Sequence, residues 1–372
     1  MNKLKKIGIL TFPGEKEEVT PLLNIVKIIS QLSKNLHIIT GNVKIKSFKD
    51  YEINVHKIKN NFQGNYIKRV LNYIFVQLSI SYNLFKIKEV DIWIFFIGGE
   101  TLFLPMLTAK LMGKKVFLLL PGSVTETLES SGDKFYKVAK ILSKINCRLS
   151  DKIIIYSSIF INQWSLENFK DKIVIGHEHF LNFEEFKIKK DFYKRPPLIG
   201  FIGRLSEEKG ILNFIKAIPK TIENDKYLRF LIVGDGYLKD KVKQYLKENR
   251  LESKVKLLNG IPHNEVPDYL NELKILVIPS YTEGLPNIMI EAMACGTPVL
   301  ASKIGAIPDI IKEGNTGFIL DENSPKSIEN NIIRVLKHDK IQVISKNGHS
   351  LIQKEFKFKN TLEKWDEIIH YK

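Results

Sequence analysis

Cysteine is nearly missing from this sequence: 372 residues contain two, Cys147 and Cys295, far apart and in unlike surroundings. That excludes a disulfide-stapled scaffold and indicates a reducing compartment. Long apolar runs are missing too. No stretch reaches the roughly 18 uninterrupted apolar residues of a membrane span. The nearest approach, Val70–Phe85, is broken by Asn, Gln and Ser and reads as a helix packed on a sheet. The start, MNKLKKIGILTFPGE, has only a short apolar run ending at a Pro-Gly turn. It reads as a first strand, not a signal peptide. Low-complexity tracts are absent. Acid is scarce in one half: residues 1–195 hold 31 Lys+Arg against 18 Asp+Glu, a net +13, whereas residues 196–372 hold 26 against 23, a net +3. No nucleic-acid-binding module accompanies this charge, which argues against nucleic acid as a partner. An anionic membrane surface, or a lysine-rich composition alone, fits better.

What is present is a repeated alternation of strand and helix. The length suits two domains of ordinary size. KIGILTF, LHIIT, DIWIFFIGG, KVFLLLPG, DKIIIYSS and KIVIGH are short, β-branched and nearly continuous, as parallel strands buried on both faces are. Helical patterns such as VTPLLNIVKIISQL and TLFLPMLTAKLMG lie between them. The alternation restarts after Pro197 with LIGFIG, LRFLIVGDG, KVKLLNG, KILVIPS, TPVLAS and GFIL. The expected layout is a doubly wound domain over 1–180, a linker over 181–197, a second such domain over 198–355 and a terminal helix over 356–372. In such sheets ligands bind beyond the carboxyl ends of the strands.

YTEGLPNIMIEAMACGTPVLAS, Tyr281–Ser302, holds Glu283 and Glu291, eight positions apart. Pro286 suits the first position of a helix, and Gly296 with Pro298 marks its end. The expected helix has about 9 residues and runs roughly 13 Å. Glu283 precedes it and Glu291 lies inside it. Free amides and partial positive charge at the helix start suit a phosphate, and carboxylates suit sugar hydroxyls. A surface helix with two solvated acids is the plainer alternative.

Two more groups fall just after strands. GFIGRLSEEKGI places Gly203 and Arg204 at a strand end and Lys209 before the next helix, so that both cations can close on a diphosphate. VGDGY supplies Gly234 and Gly236, a backbone with little steric cover. In this order, over Leu198–Leu320, the chain resembles the retaining glycosyltransferases of family 4, with the GT-B fold. The resemblance over the first domain is architectural. It implies two Rossmann-like domains facing across a cleft and a nucleotide-diphosphate sugar as donor, with no obligatory cofactor. It implies that Arg204 and Lys209 hold the diphosphate, that Glu291 takes the ribose hydroxyls and that Glu283 faces the transferred sugar. The backbone of Gly284, Leu285 and Asn287 would lie near phosphate or sugar.

The first domain departs from the family pattern. Gly14 stands where a glycine pair is usual after strand one, and Gly122 and Ser123 stand where a histidine is usual. Gly14 is kept as a donor contact. Glu100, Gly122 and Ser123 are candidates for sugar or acceptor contacts, with helix capping as the plainer reading of Glu100 and Ser123. His177 and His179 form a His-x-His pair with no third ligand at useful spacing, so no metal is expected. The implied activity is transfer of a sugar to a hydroxyl of a glycan or lipid-linked acceptor, in the cytoplasm or at the inner face of the cell membrane. Alternatives are a sugar-nucleotide epimerase, a phosphorylase or a donor-binding pseudo-transferase. A dinucleotide-dependent oxidoreductase is disfavoured, because no Gly-x-Gly-x-x-Gly follows the first strand.

Overall fold

The computed structural model describes residues 5–14, 20–43, 52–60, 66–130 and 132–370. The Glu-rich stretch that follows Gly14 lies outside the described residues. The chain divides into two units: unit 1 is Met1–His179 with Thr361–Lys372, and unit 2 is Phe180–Asn360.

Unit 1 begins with β1 (Ile7–Thr11), α1 (Thr20–Leu32), β2 (Asn35–Thr40) and β3 (Glu52–Lys57). It continues through α2 (Tyr66–Lys86), β4 (Ile92–Phe96), α3 (Phe103–Leu111) and β5 (Lys115–Leu120). It then runs through α4 (Val124–Ser130), α5 (Tyr136–Leu149), β6 (Lys152–Ile155), α6 (Ile159–Gln163) and β7 (Ile173–Ile175). The sheet order is β3-β2-β1-β4-β5-β6-β7, and every pair is parallel. Five consecutive buried residues in each of β1 and β4 explain their unbroken apolar text. Gly8 of β1 pairs with Trp93 of β4, and a Cβ there would stand 2.3 Å from the indole. The fully buried indole therefore depends on that glycine.

Unit 2 opens with β8 (Leu198–Ile202), α7 (Ile211–Asn224), β9 (Arg229–Val233), α8 (Lys239–Glu248) and β10 (Val255–Leu258). Next come α9 (Val266–Glu272), β11 (Ile275–Ile278), α10 (Asn287–Ala294), β12 (Val299–Ser302), α11 (Ile307–Ile310) and β13 (Phe318–Leu320). Three helices finish the chain, α12 (Pro325–Leu336), α13 (Ile341–Glu355) and α14 (Phe358–His370). The sheet is parallel in the order β10-β9-β8-β11-β12-β13. Its core gathers Phe201, Phe214, Phe230 and Phe318 with the aliphatic faces of α7 and α12.

In both sheets the strand order reverses beside the first strand, between β1 and β4 and between β8 and β11. Such reversals open a crevice at the strands' carboxyl ends. The stretch 181–197, expected as a linker, is an ordered part of unit 2. Arg195 is buried, and its guanidinium donates to Thr297 Oγ1 at 2.7 Å, Cys295 O at 2.8 Å and Leu273 O at 3.1 Å. Of α14, residues from Thr361 onward belong to unit 1.

Candidate active site

The loops after β8, β9, β10 and β11 build the site in unit 2. The first two are zipped together: the Gly203 amide donates to Val233 O at 2.9 Å and the Leu205 amide to Asp235 O at 2.9 Å. The Leu238 amide returns to Leu205 O at 3.0 Å. This zipper explains the Gly-x-Gly. A Cβ on Gly234 would stand 1.8 Å from Gly203 O, and one on Gly236 would stand 2.5 Å from Leu205 O. The two glycines are thus required by the neighbouring loop, before any ligand is considered. Above Gly203 the space is open, with only the Phe201 ring at 3.9 Å.

Arg204 follows, its side chain 65% exposed and paired with Glu208 at 3.5 Å. Lys209 ends a single turn, Glu207–Lys209, closed by Gly210 at φ 70°. No β-carbon fits at Gly210, because Pro279 O lies 1.8 Å from where it would stand. This close approach draws the β8 and β11 loops together, and the Tyr281 amide donates to Glu208 O at 2.8 Å. Across the same gap Lys209 Nζ reaches Glu283 Oε1 at 2.6 Å. Ser280 Oγ donates to that oxygen at 2.7 Å. The carboxylate is nearly covered, at 9% exposure, and held by two donors in one orientation.

Helix α10 starts at Asn287, and Pro286 caps it with extended geometry. Pro286 is therefore one position earlier than the N1 place expected from the sequence. The helix has 8 residues and ends in Gly296 at φ 64°. It is no surface helix: Met289 through Ala294 are all buried. Gly284 O accepts from the Ala306 amide at 2.9 Å, which fixes the turn entering α10, and Leu285 is buried beneath it. The first-turn amides of α10 have no carbonyl four residues back. Glu291 is buried, and its Oε1 meets His263 Nε2 at 2.9 Å. That hydrogen bond favours the imidazolium form and raises the His263 pKa from 6.5. Its ring lies tilted against Phe186 with centroids 5.3 Å apart.

Unit 2 thus brings together Gly203, Arg204, Lys209, Gly234, Gly236, Glu283, Gly284, Leu285, Asn287 and Glu291. His263 and Ser280 were not foreseen. His263 opens the turn His263–Glu265 after β10, a strand-end position like those that drew notice to the others.

Gly14, Glu100, Gly122 and Ser123 belong to unit 1. Gly14 follows β1, and nothing lies within 4 Å of where its Cβ would be. Glu100 is buried; its Oε1 accepts the Val124 amide at 2.5 Å, and its Oε2 accepts from Ser143 Oγ at 3.1 Å. Burial pushes its carboxyl up to about 7. Ser123 Oγ accepts the Glu126 amide at 3.2 Å. Both side chains therefore satisfy the start of α4, the capping geometry weighed against acceptor contact. The His-x-His pair flanks Glu178, both of whose oxygens accept from Tyr156 Oη at 2.6 Å. Burial lifts the Glu178 carboxyl to about 7 and lowers His177 to about 4. Among the described residues no group of three His, Cys, Asp or Glu is arranged to hold a metal.

Residues 182–350 match the family model described as Glycosyl transferases group 1. The glycosyltransferase MJ1178 of Methanocaldococcus jannaschii is 30% identical over 251 residues, which cover 66% of this chain and 64% of that relative, just under two thirds of its length. MJ1069 of the same organism is 26% identical over 98% of both chains. Anabaena HepE, solved in complex with UDP, superposes with a TM-score of 0.76 over 98% of this chain and 99% of its own, at 17% identity. The two parallel α/β units have the GT-B fold. Residues 182–350 are therefore similar to group 1 glycosyltransferases.

Proposed function

We propose that the protein is a retaining glycosyltransferase that moves a sugar from a nucleotide-diphosphate sugar to a hydroxyl of a glycan or lipid-linked acceptor, at the cytoplasmic face of a membrane. One observation carries the reading: Arg204, the Lys209–Glu283 pair and the start of α10 converge at the β8/β11 crevice of unit 2. Support for the donor class comes from the HepE complex with UDP-glucose and from an Escherichia coli UDP-Gal-dependent galactosyltransferase acting on a diphosphoundecaprenol acceptor, 31% identical over 45% of this chain and 43% of its own.

In this reading Arg204 and Lys209 take the diphosphate, with the backbone at Gly203, Gly284 and Asn287 beside it. Glu291 accepts the ribose hydroxyls, and Glu283, already oriented by Lys209 and Ser280, accepts a hydroxyl of the transferred sugar. The acceptor hydroxyl forms its bond to the anomeric carbon on the face from which the diphosphate departs. The breaking carbon–oxygen bond leaves its electron pair on the diphosphate, and the hydroxyl proton passes to that departing oxygen. No enzyme nucleophile is used. Catalysis is positioning plus stabilisation of charge on the leaving group.

Glu291→Gln and Glu283→Gln test the division of labour. Glu291→Gln should raise KM for the donor with little change in kcat, because ribose is held alike in ground and transition states. Glu283→Gln should lower kcat more than affinity. The opposite pattern exchanges the two roles. Product formed without acceptor would point to an epimerase, and a requirement for free phosphate to a phosphorylase.

A further inference from the structure

One helix layer of unit 1 has the wrong surface for water. Helix α2 spans 21 residues, about 31 Å at the usual rise. Val76, Ile80 and Leu84 are fully buried, and that face meets the rest of the unit. The opposite face is also apolar. Ile67, Leu71, Ile74, Leu78, Tyr82 and Phe85 recur at spacings of four, three, four, four and three, and all are between 44% and 67% exposed. One continuous stripe therefore runs the length of the helix. Helix α3 packs against both α2 and α5. On α5, Val138, Ile141 and Ile145 are exposed at helical spacing, beside a second stripe of Lys137, Lys140, Lys144 and Arg148.

Charge identifies the partner. The sequences of α2 and α5 contain seven Lys or Arg and no Asp or Glu. Two acids near this layer are already paired with its bases: Asp133 with Arg69 at 2.6 Å and Asp151 with Lys110 at 2.8 Å. A second copy docking through the same face would bring like charges together. A sheet of negative charge above an apolar interior complements both stripes at once. We propose that the α2–α3–α5 face of unit 1 docks on an anionic lipid surface, with the α2 stripe entering the headgroup boundary and the α5 bases meeting lipid phosphates. This names the contact face for the membrane placement proposed above and rests on that placement alone, since no step of sugar transfer enters it.

The test is co-sedimentation of the full chain with phosphatidylcholine vesicles containing zero to about 40% phosphatidylglycerol, without donor or acceptor. A failure of docking is then visible separately from a failure of transfer. Binding should rise steeply with anionic lipid and fall as salt is raised, because exposed charges are screened. Lys140→Glu with Lys144→Glu should weaken binding about tenfold or more. Leu71→Ser with Leu78→Ser should weaken it comparably, with circular dichroism and melting temperature unchanged. Lys216→Glu with Lys241→Glu, exposed positions of unit 2, should bind like the parent. A parent chain that stays in the supernatant at low salt overturns the proposal. So does a parent whose binding survives both unit 1 variants. Ultracentrifugation showing a dimer that Leu71→Ser with Leu78→Ser dissolves would assign the face to a second copy instead.

Discussion

The two sheets reverse their strand order in the same way, yet the crevices this creates are filled differently. In unit 1 the described residues beside the reversal between β1 and β4 pack on one another through aromatic side chains. The Phe12 amide donates to Ile97 O at 2.9 Å, and Phe12 Cβ occupies the space 2.7 Å from where a Cβ of Gly98 would stand. Phe12 stacks on Tyr73, which donates to Thr101 O at 2.5 Å and meets the edge of Phe135. In unit 2 the reversal between β8 and β11 is held by backbone contacts that only glycine permits, and it presents Arg204, Lys209, Glu283 and Glu291. One architecture thus carries aromatic packing beside one reversal and charged side chains beside the other. The fold supplies the position, and the loop residues decide whether chemistry occupies it.

The sharpest way to break this contrast is to remove charge from unit 2. Arg204→Ala and Lys209→Ala should each reduce turnover by about 10²-fold or more, as loss of an electrostatic stabiliser does. The melting temperature of Arg204→Ala should change little, because that side chain is largely exposed. Lys209→Ala leaves the nearly covered Glu283 carboxylate without its cation and should melt lower while still folding. Near-parental turnover in both folded variants would remove the diphosphate assignment. Next in size is the zipper. Gly234→Ala should destabilise by about 1–3 kcal/mol or more through overpacking against Gly203 O. Gly122→Ala in unit 1, where nothing lies within 4 Å, should be close to neutral. Chemical denaturation of the two variants compares them directly, and equal losses would mean that the zipper is not what unit 2 depends on.

The last comparison concerns Glu100 and is read only along a pH axis. Its folded pKa, about 7, lies above the ordinary 4.5, so the folded state keeps a proton that the unfolded state releases earlier. The favourable contribution is complete below about 4.5 and declines as pH rises toward 7, by at most about 1.4 kcal/mol per pH unit. Glu100→Gln keeps an acceptor for Val124 and a partner for Ser143 and should remove that decline. Denaturation midpoints across pH 5 to 7.5 (roughly the window of the shift) read it. A parent and variant with parallel profiles would contradict the burial argument.

Much of this was legible in the text of the chain. All six strands of unit 2 follow from continuous β-branched runs, and the order of motifs after them located the charged crevice. Strand β3 was missed because it is an edge: Glu52–Lys57 mixes exposed and half-buried residues and carries no apolar run. The 181–197 segment looked like a linker because it is charged. Its anchor, Arg195, is buried through hydrogen bonds to carbonyls about 80 to 100 positions away, a partnership no local pattern displays. A second reason for two glycines was hidden in the same way. Gly234 and Gly236 looked like room for a ligand, and the zipper that requires them comes from a loop thirty residues earlier. His263 went unremarked because its value comes from Glu291, on a different element.

The placement of α14 sets when unit 1 can be completed during synthesis. Trp365 is fully buried in unit 1 and donates to His177 O at 2.9 Å, while Thr361 donates to His179 O at 2.9 Å. Lys5 and Lys152 reach the carbonyls of Ile369 and Ile368 at 3.1 and 2.6 Å. Residues up to His179 are therefore closed by residues made about 180 positions later. At about 5–20 residues per second, ribosomes take roughly 10–40 s to travel from His179 to the end of α14. Throughout that interval unit 2 acquires every strand and core helix it needs, and unit 1 waits with the seat of Trp365 uncovered. A nascent chain halted before Thr361 should expose that seat to protease, and release of ten further residues should protect it.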